Sequence, residues 1–156
     1  MIDSCCGEEM APPVSVLVVD DNPIFRRILT RFLEERSKFE VIVVGSAEGG
    51  EKALEKAPPL RPQVILVDLA MPDMHGLDLI PRLRSLLPDV IIIVLTLMDP
   101  ASYRNAAKAA GADAFVSKAT LESDLLPTIW RLVPGGQSRG IPENNPNPCN
   151  LSLRGQ

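Results

Sequence analysis

Three aspartates, a threonine and a lysine stand where apolar runs of this sequence stop, and their side chains complement one another chemically. Asp20 and Asp21 follow the run Val14 to Val19, Asp68 follows Val64 to Val67, Thr96 follows Leu95, and Ser117-Lys118 follow Ala114 to Val116. If those runs are neighbouring strands, carboxylates, a hydroxyl and an ammonium meet on one edge of a sheet. A single acid after a strand usually caps the next helix. Four strand ends carrying complementary groups ask for a ligand. Two carboxylates about 4 Å apart repel by roughly 4 kcal/mol at an effective dielectric of 20. Three of them stay together only if a pKa rises or a cation sits among them. Lys118 brings one positive charge, and a hard divalent ion brings two more. Oxygen-only donors disfavour Zn²⁺ and suit Mg²⁺, which takes one or two carboxylates, waters and a phosphate oxygen. The cluster is expected to hold Mg²⁺ and to await a phosphoryl group.

The elements that must position these residues are legible as a repeating pattern. Val14 to Val19, Val41 to Val44, Val64 to Val67, Val90 to Leu95 and Ala114 to Val116 are β-branched and almost continuously apolar. Strands buried on both faces of a parallel sheet look like that, whereas half-exposed strands alternate. Between them lie amphipathic segments. Asn22-Pro23 is an N-cap followed by Pro at the first helical position. Ile24, Ile28, Leu29, Phe32 and Leu33 follow at helical spacing. Gly111 stands after the alanine-rich stretch Ala106 to Ala110, where a left-handed C-cap belongs. A last helix is expected from Ser123 to Val133, burying Leu125, Leu126, Ile129, Trp130 and Val133. Five β-α repeats with right-handed crossovers give a doubly wound α/β fold, a parallel sheet between two helical layers. Such sheets bind ligands beyond the carboxyl ends of their strands, where the acids lie.

Composition bounds the function. The 156 residues are 46% hydrophobic and 23% charged, enough for one domain with a buried core, and only 4% aromatic. A net charge of −4 argues against nucleic acid as a direct partner, because duplex binding needs clustered cations. No apolar run is long enough to cross a membrane, and no secretory signal is visible, so a cytoplasmic location is expected. Cys5, Cys6 and Cys149 lie outside the patterned region and read as free thiols of a reducing compartment. Residues 1–13 read as a flexible lead-in, 14–133 as the domain, and 134–156 as a flexible tail or linker remnant rich in Pro, Gly, Asn and Ser. The sequon at Asn150 carries no meaning without secretion.

The segments Val18-Val19-Asp20-Asp21-Asn22, Val67-Asp68-Leu69-Ala70-Met71-Pro72-Asp73-Met74-His75-Gly76, Leu95-Thr96 and Gly111 to Lys118 occur in order and together resemble the receiver domain of two-component response regulators. The resemblance runs from Val14 to Val133 and implies a flavodoxin-like sandwich with strand order 2-1-3-4-5. It implies that Asp68 is the phosphoacceptor and that Asp20, Asp21 and the Ala70 carbonyl bind Mg²⁺ with it. Thr96 and Lys118 would contact the phosphoryl oxygens. The donor would be a histidine kinase or phosphotransfer protein. In the readout it implies, Thr96 shifts toward the phosphoryl group and Phe115 turns inward. That repacks the face of the fourth helix, fifth strand and fifth helix toward a downstream partner, an output domain or a second copy. Such a protein is a switch that catalyses only its own phosphorylation and dephosphorylation.

Some residues depart from the pattern. Ala119 stands where many receivers have Pro, which leaves open a cis or trans Lys118-Ala119 bond. Ala70 offers no side chain, and Leu97 is bulkier than usual. His75, the only histidine, reads as a polar loop residue, and Asp73 and Asp78 as turn and helix-start residues. No helix-turn-helix follows Val133, which suits a stand-alone receiver or a piece of a longer regulator. Two rival functions share the fold. A phosphorylation-independent interaction module has no use for three repelling carboxylates. An aspartyl phosphatase needs a second Asp two residues after its nucleophile, and position 70 is Ala.

Overall fold

The structure, a computed structural model, describes residues 12–135. Cys5, Cys6, Cys149, Asn150 and most of both terminal segments, for which the sequence sets expectations, lie outside the described residues. Five strands alternate with five helices: β1 Val14–Val19, α1 Pro23–Arg36, β2 Val41–Ala47, α2 Gly50–Leu60, β3 Val64–Val67, α3 Gly76–Leu86, β4 Ile91–Thr96, α4 Pro100–Ala110, β5 Ala114–Ser117 and α5 Leu121–Leu132. All neighbouring strands pair in parallel, in the order β2-β1-β3-β4-β5.

Continuous apolar runs become strands here because both sheet faces are covered. Along β1, Val14, Val16 and Val18 join Leu29 and Leu33 of α1 and Leu125, Ile129 and Trp130 of α5. The alternate residues Leu17 and Val19 join Ala53 and Ala57 of α2, Leu79, Ile80 and Leu83 of α3, and Ala107 of α4. Two separate cores result, one per face, as the period of two in a strand requires. With few aromatics, each is filled by branched aliphatic side chains.

Local signals set most helix ends. Asn22 Oδ1 accepts from the N–H groups of Ile24 and Phe25 at 3.0 and 3.1 Å, ahead of Pro23. Gly111 closes α4 with φ 118°, the left-handed conformation that glycine adopts without a Cβ penalty. The buried side of α5 is Leu125, Ile129 and Trp130, with Val133 just beyond and Leu126 half-buried. That helix starts earlier than expected, at Leu121, because the chain turns straight into it through a 3₁₀ turn at Lys118–Thr120.

Two expectations are corrected. Ile24 and Ile28 fit the helical spacing of α1 but point outward, 64% and 59% exposed, since the inward stripe is Leu29 and Leu33 flanked by half-buried Phe25 and Phe32. Strand β2 runs on past Val44 to Ala47. Its register against β1 shifts by one residue, Val16 facing Val43 and Leu17 facing Gly45, so Val44 is a bulge on an edge strand.

Candidate functional site

Parallel register brings the chemistry together. Val19 pairs with Val67, Val67 with Val94 and Thr96 with Ser117, so the next residues of β1, β3 and β5 emerge side by side. Backbone bonds fix the two inner acids: Asp20 N–H donates to Ala47 O and Asp68 N–H to Val19 O, both at 3.0 Å. Asp20, Asp68 and Thr96 are buried and Asp21 is exposed.

The three carboxylates each offer an oxygen within 4.8 Å of the others. That donor set is all oxygen, partly buried and open to solvent on the Asp21 side, and it fits a Mg²⁺ ion that keeps several waters. In this arrangement the cationic partner is Lys118. Its Nζ lies 2.6 Å from Asp20 Oδ2 and 3.8 Å from Asp68 Oδ1, over the Phe25 ring at 4.1 Å. Asp20 also accepts from Asn22 N–H at 2.9 Å, and its backbone carbonyl takes Arg26 Nη1 at 2.6 Å. Burial pushes the Asp68 carboxyl above the usual carboxylate range, opposed by the nearby Lys118 ammonium and reinforced by Asp20; hydrogen bonds from Thr96 and the Leu69 N–H act against the rise. A cation beside Asp68 would favour its ionised form and act against that rise.

Thr96 accepts Met98 N–H at 3.2 Å, and Ala70 is exposed on the loop after β3. The Lys118-Ala119 bond is trans, as is every peptide bond among the described residues. Phe115 faces inward, 9% exposed within the core of the α2–α4 side, with the Arg104 guanidinium 5.3 Å from its ring centroid. It lines a hollow of ≈ 270 Å³ with Arg104, Lys108 and Arg131. Leu97 is 74% exposed, so its bulk fills no interior space.

Two neighbours of the site, His75 and Asp73, do more than the loop and turn roles expected of them. His75 caps α3, its Nδ1 accepting Leu77 N–H at 3.1 Å, and its ring stacks near Tyr103. Asp73 reaches across to α2, accepting Gly50 N–H and Glu51 N–H at 3.1 Å each. The available signal was the Gly49-Gly50 start of α2, a helix opening with no capping side chain of its own. Asp78 lies in the first turn of α3, as expected of a helix-start residue.

Residues 16–129 match the response regulator receiver domain. The chain is 35% identical over 119 residues to the response regulator protein VraR of Staphylococcus saprophyticus, covering 75% of this chain and 55% of the relative. It spans about half the length of the curated relatives it matches. Among solved structures, the REC domain of AraT, a response regulator from Geobacillus stearothermophilus, is 36% identical with a TM-score of 0.66, over 76% of this chain and 91% of that one. RcsB from Salmonella enterica, solved on promoter DNA in the presence of phosphomimetic beryllofluoride, is 28% identical with a TM-score of 0.69, over 77% of this chain and 60% of that one. Since the matched span takes in most of β1, the other four strands and every one of the clustered groups, this chain belongs to the response regulator receiver domain family.

Proposed function

We propose that this domain is a Mg²⁺-dependent phosphorylation switch with Asp68 as its phosphoacceptor. The observation that carries the reading is the buried Asp68 carboxylate grouped with Asp20 and Asp21, with the Lys118 ammonium 3.8 Å away and a hydrogen bond from Thr96. Asp20, Asp21, Asp68 and the Ala70 carbonyl would hold Mg²⁺, which would supply Lewis-acid charge neutralisation for the reaction. An Asp68 oxygen attacks phosphorus in line, the bond from phosphorus to a phosphohistidine nitrogen or small leaving group breaks, and its electron pair leaves with that group. The product is an acyl phosphate. Lys118 swings from Asp20 to a phosphoryl oxygen, and the Thr96 hydroxyl donates to another, so positioned charge does most of the catalytic work. Attack of water on phosphorus later breaks its bond to the Asp68 oxygen, releasing inorganic phosphate and restoring the carboxylate.

The donor is a histidine kinase or phosphotransfer protein in the cytoplasm. The readout runs from Thr96 to the Phe115 side of α4, β5 and α5, which faces a downstream protein, an output domain or a second copy. A monomeric mass at high concentration with beryllofluoride and Mg²⁺ would remove the second copy. Nothing observed favours an interaction module that ignores phosphate. The test is beryllofluoride with ¹⁹F NMR. A bound signal that needs Mg²⁺ and vanishes in Asp68→Asn is expected; a signal independent of either would overturn the reading.

A further inference from the structure

The loop that carries Ala70 is fastened at both ends. At its inner end Gly76 N–H donates to Leu69 O at 2.8 Å, and a Cβ on Gly76 would stand 2.6 Å from Asp68 O. Only glycine lets the chain return this closely onto the phosphoacceptor's backbone. At the outer end the loop grips another element. Helix α2 begins at Gly50 after Gly49, which has no side chain to cap the first turn. Asp73 supplies that cap from the loop, Oδ1 accepting Gly50 N–H and Oδ2 accepting Glu51 N–H, both at 3.1 Å. A carboxylate there also meets the positive end of the helix dipole. The Glu51 N–H bond, helped by that of Gly50, holds the Asp73 carboxyl below the usual range.

The clasp fills its space. A Cβ on Gly49 would lie 2.6 Å from Asp73 Oδ1, and one on Gly50 would lie 2.8 Å from Met74 Sδ. Gly49 has φ −173° and ψ −176°, an extended conformation open to any residue, so Asp73 is what excludes a side chain there. The same short stretch is tied to the acid pair, because Ala47 O accepts Asp20 N–H at 3.0 Å. Residues 47–50 therefore hold Asp20 at one end and the Ala70 loop at the other.

We propose that Asp73 is a positioning residue for the metal site: by clasping the start of α2 it fixes the backbone of residues 69–73, and with it the Ala70 carbonyl, relative to Asp20 and Asp68. The proposal rests on the Mg²⁺-dependent reading of Asp68. A purely structural role is separable from it, since the missing cap can be restored from the other side. Asp73→Ala removes the cap and the obstruction together, and Gly49→Ser in that background gives α2 its own capping hydroxyl while leaving the loop unheld.

Mg²⁺ titration by calorimetry and thermal unfolding in chelator are measured on the full chain for four proteins: wild type, Asp73→Ala, Asp73→Asn and Asp73→Ala with Gly49→Ser. Asp73→Ala is expected to weaken Mg²⁺ about tenfold, the usual scale for losing a group that orients a ligand. Asp73→Asn, which keeps one acceptor oxygen, should fall between it and wild type. The double variant should regain thermal stability without regaining Mg²⁺ affinity. Unchanged Mg²⁺ affinity in Asp73→Ala, or recovery of both properties in the double variant, would overturn the proposal while leaving Asp68 as phosphoacceptor. Failure of the wild type to bind Mg²⁺ at all would sink that reading and this one with it.

Discussion

Lys118 stands where the pocket most needs positive charge, bonded to Asp20 at 2.6 Å and reaching toward Asp68 at 3.8 Å. One ammonium serves two buried acids, and burial leaves Asp68 with its pKa raised. The consequence for stability has a definite sign. A carboxyl that binds its proton more tightly folded than unfolded makes the folded state take up more protons between the two pKa values, so its contribution to stability falls as pH rises through that window. Above the folded pKa the ionised Asp68 is a standing cost to the metal-free protein. Asp68→Asn is therefore expected to raise the chelator-treated protein's unfolding temperature near neutral pH. The gain should shrink as pH drops below the ordinary carboxylate range, where wild-type Asp68 is neutral too. Thermal melts of both proteins across pH 3 to 8, roughly the span that brackets a carboxyl titration, check this. A lower melting temperature for the variant at pH 7 would contradict it.

At the level of elements, the side of the sheet that carries Phe115 and Lys118 depends on one guanidinium. Arg84, on α3, donates to Val90 O at 2.5 Å, Pro88 O at 3.0 Å, Gly111 O at 2.7 Å and Asp113 Oδ2 at 2.8 Å. Asp113 in turn accepts Ile92 N–H at 2.9 Å. One side chain thus links α3, the start of β4 and the turn into β5. Losing several such bonds at a half-buried site costs about 2 kcal/mol, so Arg84→Ala should lower the urea midpoint with an unchanged slope. A loss under about 0.5 kcal/mol, the scale of an ordinary surface change, would mean water replaces those bonds freely. No sequence pattern marks Arg84, whose partners Gly111 and Asp113 are 27 and 29 residues away. The same holds for Asp73, a turn residue by local rules and a helix cap only once the fold sets it against Gly50. What sequence did carry was local or periodic: the Asn22-Pro23 cap, the Gly111 stop, the doubly buried strands and the acids at their ends. Periodicity overreached at Ile24 and Ile28, because spacing defines a stripe but not which flank of it meets the sheet. Pro81 and Pro127 lie inside α3 and α5, where local rules place a break. Burial of Leu79, Ile80 and Leu83, and of Leu125 and Ile129, outweighs that preference.

For the molecule as a whole, two cores meet at a sheet whose carboxyl edge carries unbalanced negative charge. The apolar layers fix the acids in place through the Val19–Val67 and Asp20–Ala47 pairings, and they do so at an electrostatic disadvantage. A cation that binds only the folded arrangement should therefore stabilise the entire domain, by RT ln(1 + [L]/Kd). At ten times its dissociation constant that is about 1.4 kcal/mol, worth roughly 4 °C in a domain of this size. Mg²⁺ added to chelator-treated protein is expected to raise the melting temperature by that amount. Asp20→Asn, which weakens the donor set and frees Lys118, should abolish most of the rise, while Ca²⁺, larger and suited to a site with more protein oxygens around it, should produce less. An equal rise in Asp20→Asn would place the stabilising ion elsewhere on an acidic surface, and the charge at the sheet edge would then need another account.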